Sequence, residues 1–301
     1  MKIKVTVDIF SGRPNPAVIL DGTKAKKIMD QLQPAGRFKT NTDQHAPEPV
    51  NLGYRGILIE QISKSATDLP SIIRVTPDRL YAGDKSSSME DMEFEKNVFD
   101  LIRDFDQTGN KKKFKPYLNK EIERFRIERE KLKLIKFPIH KILNICACAP
   151  PHDIAWWNDG GTIQHGNNCY NYSTNYRTNT FAQPGRSAGM QYTSLSGCAV
   201  AAGQRSAKDG AKADCLIDLP GANNKCPGNG HLVALVVAPD FDYHWYRKGP
   251  DGKWSHKPGP TAATLVDNSG NPISDPRTAD RGPYTQFCTF MQVIHGHIKI
   301  N

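Results

Sequence analysis

Cys169 stands in the polar run Asn167-Asn168-Cys169-Tyr170-Asn171, where a glycine-rich stretch that starts near Ile154 gives way to a predicted helix. Exposed N–H groups at a helix start favour the thiolate, the nucleophilic form of cysteine, so Cys169 is the expected nucleophile of a covalent mechanism. Such a nucleophile needs a base, and the base needs a third group that holds its tautomer. Two imidazoles are candidates. Asp242-Tyr243-His244-Trp245-Tyr246 and Trp254-Ser255-His256 flank the turn signal Pro250-Asp251-Gly252, which predicts a hairpin. A turn centred on Pro250 sets Tyr246 opposite Trp254 and His244 opposite His256, all on one face by parity. His244 is then the expected base and His256 its orienter.

Other assignments stay open at this level. His231 begins the apolar run Leu232 to Ala238 and is an alternative base, with His244 then the orienter. Asp267, in Asp267-Asn268-Ser269-Gly270, is an alternative third member, although the tetrapeptide is equally a plain turn. Trp245 and Trp254 read as core or cleft wall. His295 and His297 share one face of a predicted C-terminal strand, but two isolated ligands do not define a metal site.

The order cysteine, histidine, polar orienter resembles that of papain-like cysteine peptidases. A second histidine 12 residues after the first across a hairpin resembles their NlpC-type branch of amidopeptidases. The likeness covers residues 152 to 257. It implies Cys169 as nucleophile, His244 as base, His256 as orienter, and Gln164, five residues before the cysteine, as an oxyanion-hole side chain. Asn168-Cys169-Tyr170-Asn171 departs from the Asp-Cys-Ser-Gly of that branch, and Trp245 and Tyr246 replace small residues after the first histidine. The departures bear on a cell-wall substrate more than on the thiol chemistry.

These residues must be positioned by a chain of 301 residues, enough for two domains, with the composition of an ordinary globular protein. The net charge of +9 is unevenly placed. Between Lys111 and Lys136 stand 11 Lys and Arg against 4 Glu, while residues 151 to 301 hold 13 basic and 11 acidic groups, no glutamate, and 17 of the 24 glycines. That composition break predicts domains at 1–138 and 139–301. The basic run reads as a solvated linker, because it lacks the interleaved aromatics that stack on nucleic acid bases.

Residues 1–10, 15–20, 56–62 and 72–81 read as strands, with helices from Asp21 or Thr23 to about Leu32, from Met89 to Phe105, and from Asn119 to Lys136. Asp104, Asp106, Thr108, Gly109 and Asn110 mimic the start of a calcium loop. Lys115 stands where the loop needs a bidentate glutamate, so calcium is not expected. Seven cysteines cannot all pair within the chain, and Cys146-Ala147-Cys148 is too tight for a zinc spacing.

No segment approaches the ~18 consecutive apolar residues of a membrane span. The alternating N-terminus lacks a Sec-type core, which predicts a cytoplasmic protein or one exported by another route. The expectation is an α+β protein whose N-terminal module, without a convergent nucleophile and base, targets, docks or occludes. Its C-terminal domain would be a papain-like cysteine hydrolase with a central antiparallel sheet, acting on an amide bond of a peptide or protein without cofactor or metal. Deamidation or acyl transfer would use the same Cys-His pair, and the rival from another class is a non-catalytic interaction protein.

Overall fold

The computed structural model describes residues 1–32, 39–40, 48–63, 69–82, 85–88, 93–101, 111–132 and 146–301. They fall into two compact units. The first comprises Met1–Ile9, Asn15–Pro49 and Tyr54–Arg126, and the second Phe10–Pro14, Val50–Gly53 and Ile127–Asn301. Composition puts a junction at 138, whereas the packing divides the chain at Arg126 and also assigns two short N-terminal pieces to the second unit. Helices and antiparallel sheets make the class α+β.

The first unit carries strands β1 (Lys2–Asp8) and β2 (Ala17–Asp21), helix α1 (Gly22–Leu32), strands β3 (Lys39–Thr40), β4 (Gly56–Gln61), β5 (Ile72–Val75), β6 (Arg79–Ala82) and β7 (Lys85–Ser88), and helix α2 (Phe94–Leu101). Helix α3 (Lys111–Leu132) follows, starting eight residues before the expected Asn119. The strands form an antiparallel sheet in the order β2-β1-β4-β5-β6-β7-β3. Alternation in β1 buries Ile3, Val5 and Val7, and the spacing of Ala25, Ile28, Met29 and Leu32 gives α1 one apolar face. The stretch read as one strand over 72–81 is two, because Pro77 cannot donate to a ladder and Thr76 closes a turn with Arg79 (N to O, 2.9 Å). Residues 102–110, which hold most of the calcium-like loop, lie outside the described residues.

The second unit carries helices α4 (Ile154–Trp157), α5 (Thr162–Gly166), α6 (Cys169–Thr174) and α7 (Ala207–Ala213), then strands β8 (Ile217–Asp218), β9 (His231–Ala238), β10 (Asp242–Lys248), β11 (Trp254–His256) and β12 (Gln286–Val293). The sheet order is β11-β10-β9-β12-β8. Strand β9 is central and apolar throughout because both its faces are covered: Val233, Leu235 and Val237 on one side, Leu232, Ala234 and Val236 on the other. Each such side chain contributes roughly 1.5–3 kcal/mol on burial. Disulfides join Cys146 to Cys226 and Cys198 to Cys288, and Cys148, Cys169 and Cys215 stay reduced. His295 and His297 lie in a turn beyond β12, not in the expected strand. Among the described residues no helix is long and apolar enough to cross a membrane, and no group of three metal-ligating side chains converges.

Candidate active site

Helix α6 begins at Cys169 because Asn168 caps it. The Asn168 side-chain oxygen accepts the N–H groups of Tyr170 and Asn171 (3.0 and 3.1 Å), and Asn171 returns a bond to the Asn168 N–H (3.2 Å). The helix packs on β10 through Tyr170 against Trp245, ring centroids 5.4 Å apart, and through Tyr172 beneath the Arg247 guanidinium. Strand β11 pairs with β10 at residues 246 to 248, so the outer edge of β10 from 242 to 245 is free of it. Cys169 lies at this edge, its thiol near the Trp245 N–H.

The hairpin register differs from expectation by two residues. Tyr246 pairs with His256 and Lys248 with Trp254, because the Gly249 N–H bonds to the Lys253 carbonyl (2.8 Å), leaving a three-residue tip, and Gly252 takes φ 78°, which moves its centre to Asp251. Parity survives the shift. His244 and His256 stay on one face, His244 Nε2 lies 3.0 Å from His256 Nδ1, and His256 Nε2 lies 2.9 Å from the carbonyl oxygen of Val266. That carbonyl can only accept, so His256 Nε2 donates to it. With both rings neutral, His256 Nδ1 then accepts from His244 Nε2–H, and the lone pair of His244 falls on Nδ1. This nitrogen lies 2.9 Å from the hydroxyl of Ser11.

Ser11 belongs to the Phe10–Pro14 segment of this unit and is fully buried. Its carbonyl oxygen accepts from the N–H of Cys169 (3.5 Å) and the N–H of Gly259 (3.1 Å). Asp242 holds the backbone on the other side: its carboxylate accepts from the N–H groups of Ser11 (2.6 Å), Gly12 (3.2 Å) and Arg13 (2.9 Å) and from the Tyr284 hydroxyl (2.5 Å). Burial nevertheless raises the Asp242 pKa against these donors. Lys257, also buried, donates to the carbonyls of Gln164, Asn167 and Gly259 (2.5, 2.6 and 2.7 Å), tying the end of α5 before Cys169 to the turn that presents the Gly259 N–H.

The expected lowering of the Cys169 pKa is overturned. Burial, then the Asp242 charge, push it well up, and the Trp245 N–H and Lys257 only partly oppose them. A six-residue helix supplies too little dipole to reverse that. Cys169 is thus a neutral thiol in a closed site.

The remaining candidates lie elsewhere. His231 gives Nε2 to the carbonyl of Ser173 (2.7 Å), at the far end of α6 from the thiol, and burial lowers its pKa to about 3. Asp267 accepts from the N–H groups of Ser269, Asn271 and Asp280, which braces a turn. Gln164 takes the Gly160 N–H on its side-chain oxygen (3.3 Å), and the two donors on the Ser11 carbonyl are backbone groups. Reading the sequence for nucleophile and base passed over Ser11, Asp242, Lys257 and Gly259. The sole local signals were an acid two residues before His244 and a glycine between Pro258 and Pro260.

Comparison with known proteins finds insoluble matrix shell protein 1 of Ruditapes philippinarum, 49% identical over 132 residues, which cover 44% of this chain and 82% of that protein. The chain belongs to the family of that shell matrix protein. No protein-family model and no solved structure matches it.

Proposed function

We propose that the second unit is a cysteine-dependent hydrolase of amide bonds. One observation carries the reading: a peptide carbonyl accepts from the N–H of Cys169 and the N–H of Gly259, while the lone-pair nitrogen of His244 faces the side chain of the same residue. In a productive complex His244 Nδ1 takes the thiol proton and Sγ bonds to the carbonyl carbon. The oxygen gathers charge against the two N–H groups. The C–N bond then breaks, the departing amine takes the proton from His244, and water cleaves the thioester to regenerate the thiol. His256, fixed by the Val266 carbonyl, keeps the His244 lone pair on Nδ1, the nitrogen that faces Ser11. Deamidation and acyl transfer would run through the same thioester.

A second reading has its own support. Membership in a shell matrix protein family and two disulfides favour an oxidising, extracellular setting. There the same cleft would hold a peptide segment of a matrix protein without cleaving it.

Amine release from a library of fluorogenic peptide amides separates the two. The hydrolase reading expects turnover by the wild type or by a Gly12→Val variant, a loss of about a thousandfold or more in Cys169→Ala and His244→Ala, and a smaller loss in His256→Ala. No release from any member by either form, or activity that survives Cys169→Ala, sinks the catalytic reading and leaves the binding one.

A further inference from the structure

Residues 11 to 13 form no helix or strand, yet their backbone is satisfied by side chains and N–H groups more than 150 residues away in sequence. Besides the contacts of Asp242, Cys169 and Gly259, the carbonyl oxygen of Gly12 lies among Asn168 Nδ2 (2.7 Å), Gln183 Nε2 (3.0 Å) and the Tyr243 hydroxyl (3.0 Å). The Arg13 guanidinium donates to the Phe241 carbonyl (3.0 Å). Asp242, Asn168, Gln183 and Tyr243 are each buried, and all point polar atoms at one short stretch of main chain. A buried carboxylate with no cationic partner among these contacts, taking three successive peptide N–H groups, is what a site for an extended peptide requires.

Gly12 adds a selectivity. A Cβ built on it would run into both the carbonyl oxygen and the ring of Tyr243, and the oxygen belongs to a paired strand that cannot give way. The obstacle is space alone.

We propose that this cleft is a peptide-binding site with a glycine-only subsite against Tyr243, and that Ser11, Gly12 and Arg13 of the chain itself are its resident occupant. The ligand class is an extended peptide carrying glycine after a small hydroxyl residue and before a basic one. The occupant covers Cys169 and sets the Ser11 hydroxyl 2.9 Å from His244 Nδ1, so the resting protein holds its own thiol closed. The consequence for catalysis rests on the hydrolase reading, but the binding claim does not.

The test reads thiol accessibility in the full chain, by mass mapping of alkylated cysteines with the exposed Cys148 and Cys215 as internal references. In the wild type, Cys169 should label through a local opening whose rate hardly depends on denaturant. Gly12→Val should raise that rate by about tenfold or more. A synthetic Phe-Ser-Gly-Arg-Pro peptide should then restore protection in a saturable way, and Phe-Ser-Ala-Arg-Pro should not.

The proposal is overturned if wild-type Cys169 labels only with the denaturant slope of global unfolding, a measurement that needs no variant. It is equally overturned if folded Gly12→Val labels as slowly as wild type, or if the two peptides act alike. Opening without any amide hydrolysis would keep the site and remove the hydrolase.

Discussion

Asp8 in the first unit and Asp242 in the second are both shut off from solvent, and the two solve the same problem with opposite partners. Asp8 in the first unit faces two guanidiniums, Arg55 at 2.6 Å and Arg74 at 2.5 Å, both also buried. Burial alone would raise its pKa, but the two cations together outweigh burial and lower it. Asp242 in the second unit faces peptide N–H groups and a tyrosine hydroxyl, which do not outweigh burial, and its pKa rises. Permanent charges locked on Asp8 make a closed strut. Neutral donors, most of them from one five-residue segment, make the socket of the proposed peptide site. Burial alone therefore does not distinguish a structural aspartate from a binding one; the kind of donor does.

The largest way to sharpen the contrast is reduction. Every cysteine follows residue 145, so the first unit holds none, and the bridges of the second close separations of 80 and 90 residues. Each is worth about 4.5 kcal/mol by the chain-entropy relation. Reductant should lower the denaturation midpoint read by tryptophan fluorescence, since all four tryptophans follow residue 155, and leave a second transition, seen by circular dichroism, in place.

Next comes Asp8→Ala. It removes the shared carboxylate from two buried guanidiniums, of which Arg74 keeps Glu48 at 3.3 Å, and should cost about 3–5 kcal/mol, read as a shift in the circular dichroism transition with the tryptophan transition unmoved. A cost below about 1 kcal/mol would mean the strut is solvated.

A third test uses pH. Glu95, buried and bonded to the Tyr54 hydroxyl at 2.5 Å, has its pKa raised from 4.5 to about 7 by burial. A raised carboxyl contributes stability fully present below the unfolded pKa and lost as pH rises through the folded one. The first unit should therefore weaken between about pH 4.5 and 7, by up to roughly 3 kcal/mol, with Glu121, also raised to about 7 by burial, acting in the same window. Glu95→Gln should flatten the slope in urea midpoints across that range. Asp8 has the opposite sign: its contribution is present above 3.8 and disappears only as pH falls through its lowered pKa.

The smallest effect belongs to Lys4 and Glu60, paired at 2.8 Å on the surface of the first unit. Lys4→Ala should change stability by less than about 1 kcal/mol. A larger change in the same urea midpoints would place that pair with Asp8 instead of with solvent.

What the sequence made legible follows from locality. The helix start at Cys169, the helix α1 and the apolar run of β9 depend on residues a few positions apart, and so does the parity that keeps His244 with His256. The hairpin centre was missed by one residue because Pro250-Asp251-Gly252 also fits a three-residue loop with its glycine left-handed, as Gly252 adopts. The socket was not legible, since Ser11 and Asp242 are 231 positions apart and only the fold brings them together. The same distance hid the fact that the second unit borrows residues 10–14 from the N-terminal half, so a fragment starting near Leu143 would lack Ser11 and Gly12.

Asn168 carries two jobs in one side chain. Its oxygen starts α6, while its nitrogen donates to the carbonyls of Gly12 and Ala182. Aspartate caps a helix as well as asparagine does but has no hydrogen to give a carbonyl. The single atom that separates the two amino acids thus divides folding from recognition. Asn168→Asp should keep the cap and turn the contacts with the Gly12 and Ala182 oxygens from attraction into repulsion, so a protein that still starts α6 would have lost its hold on a peptide.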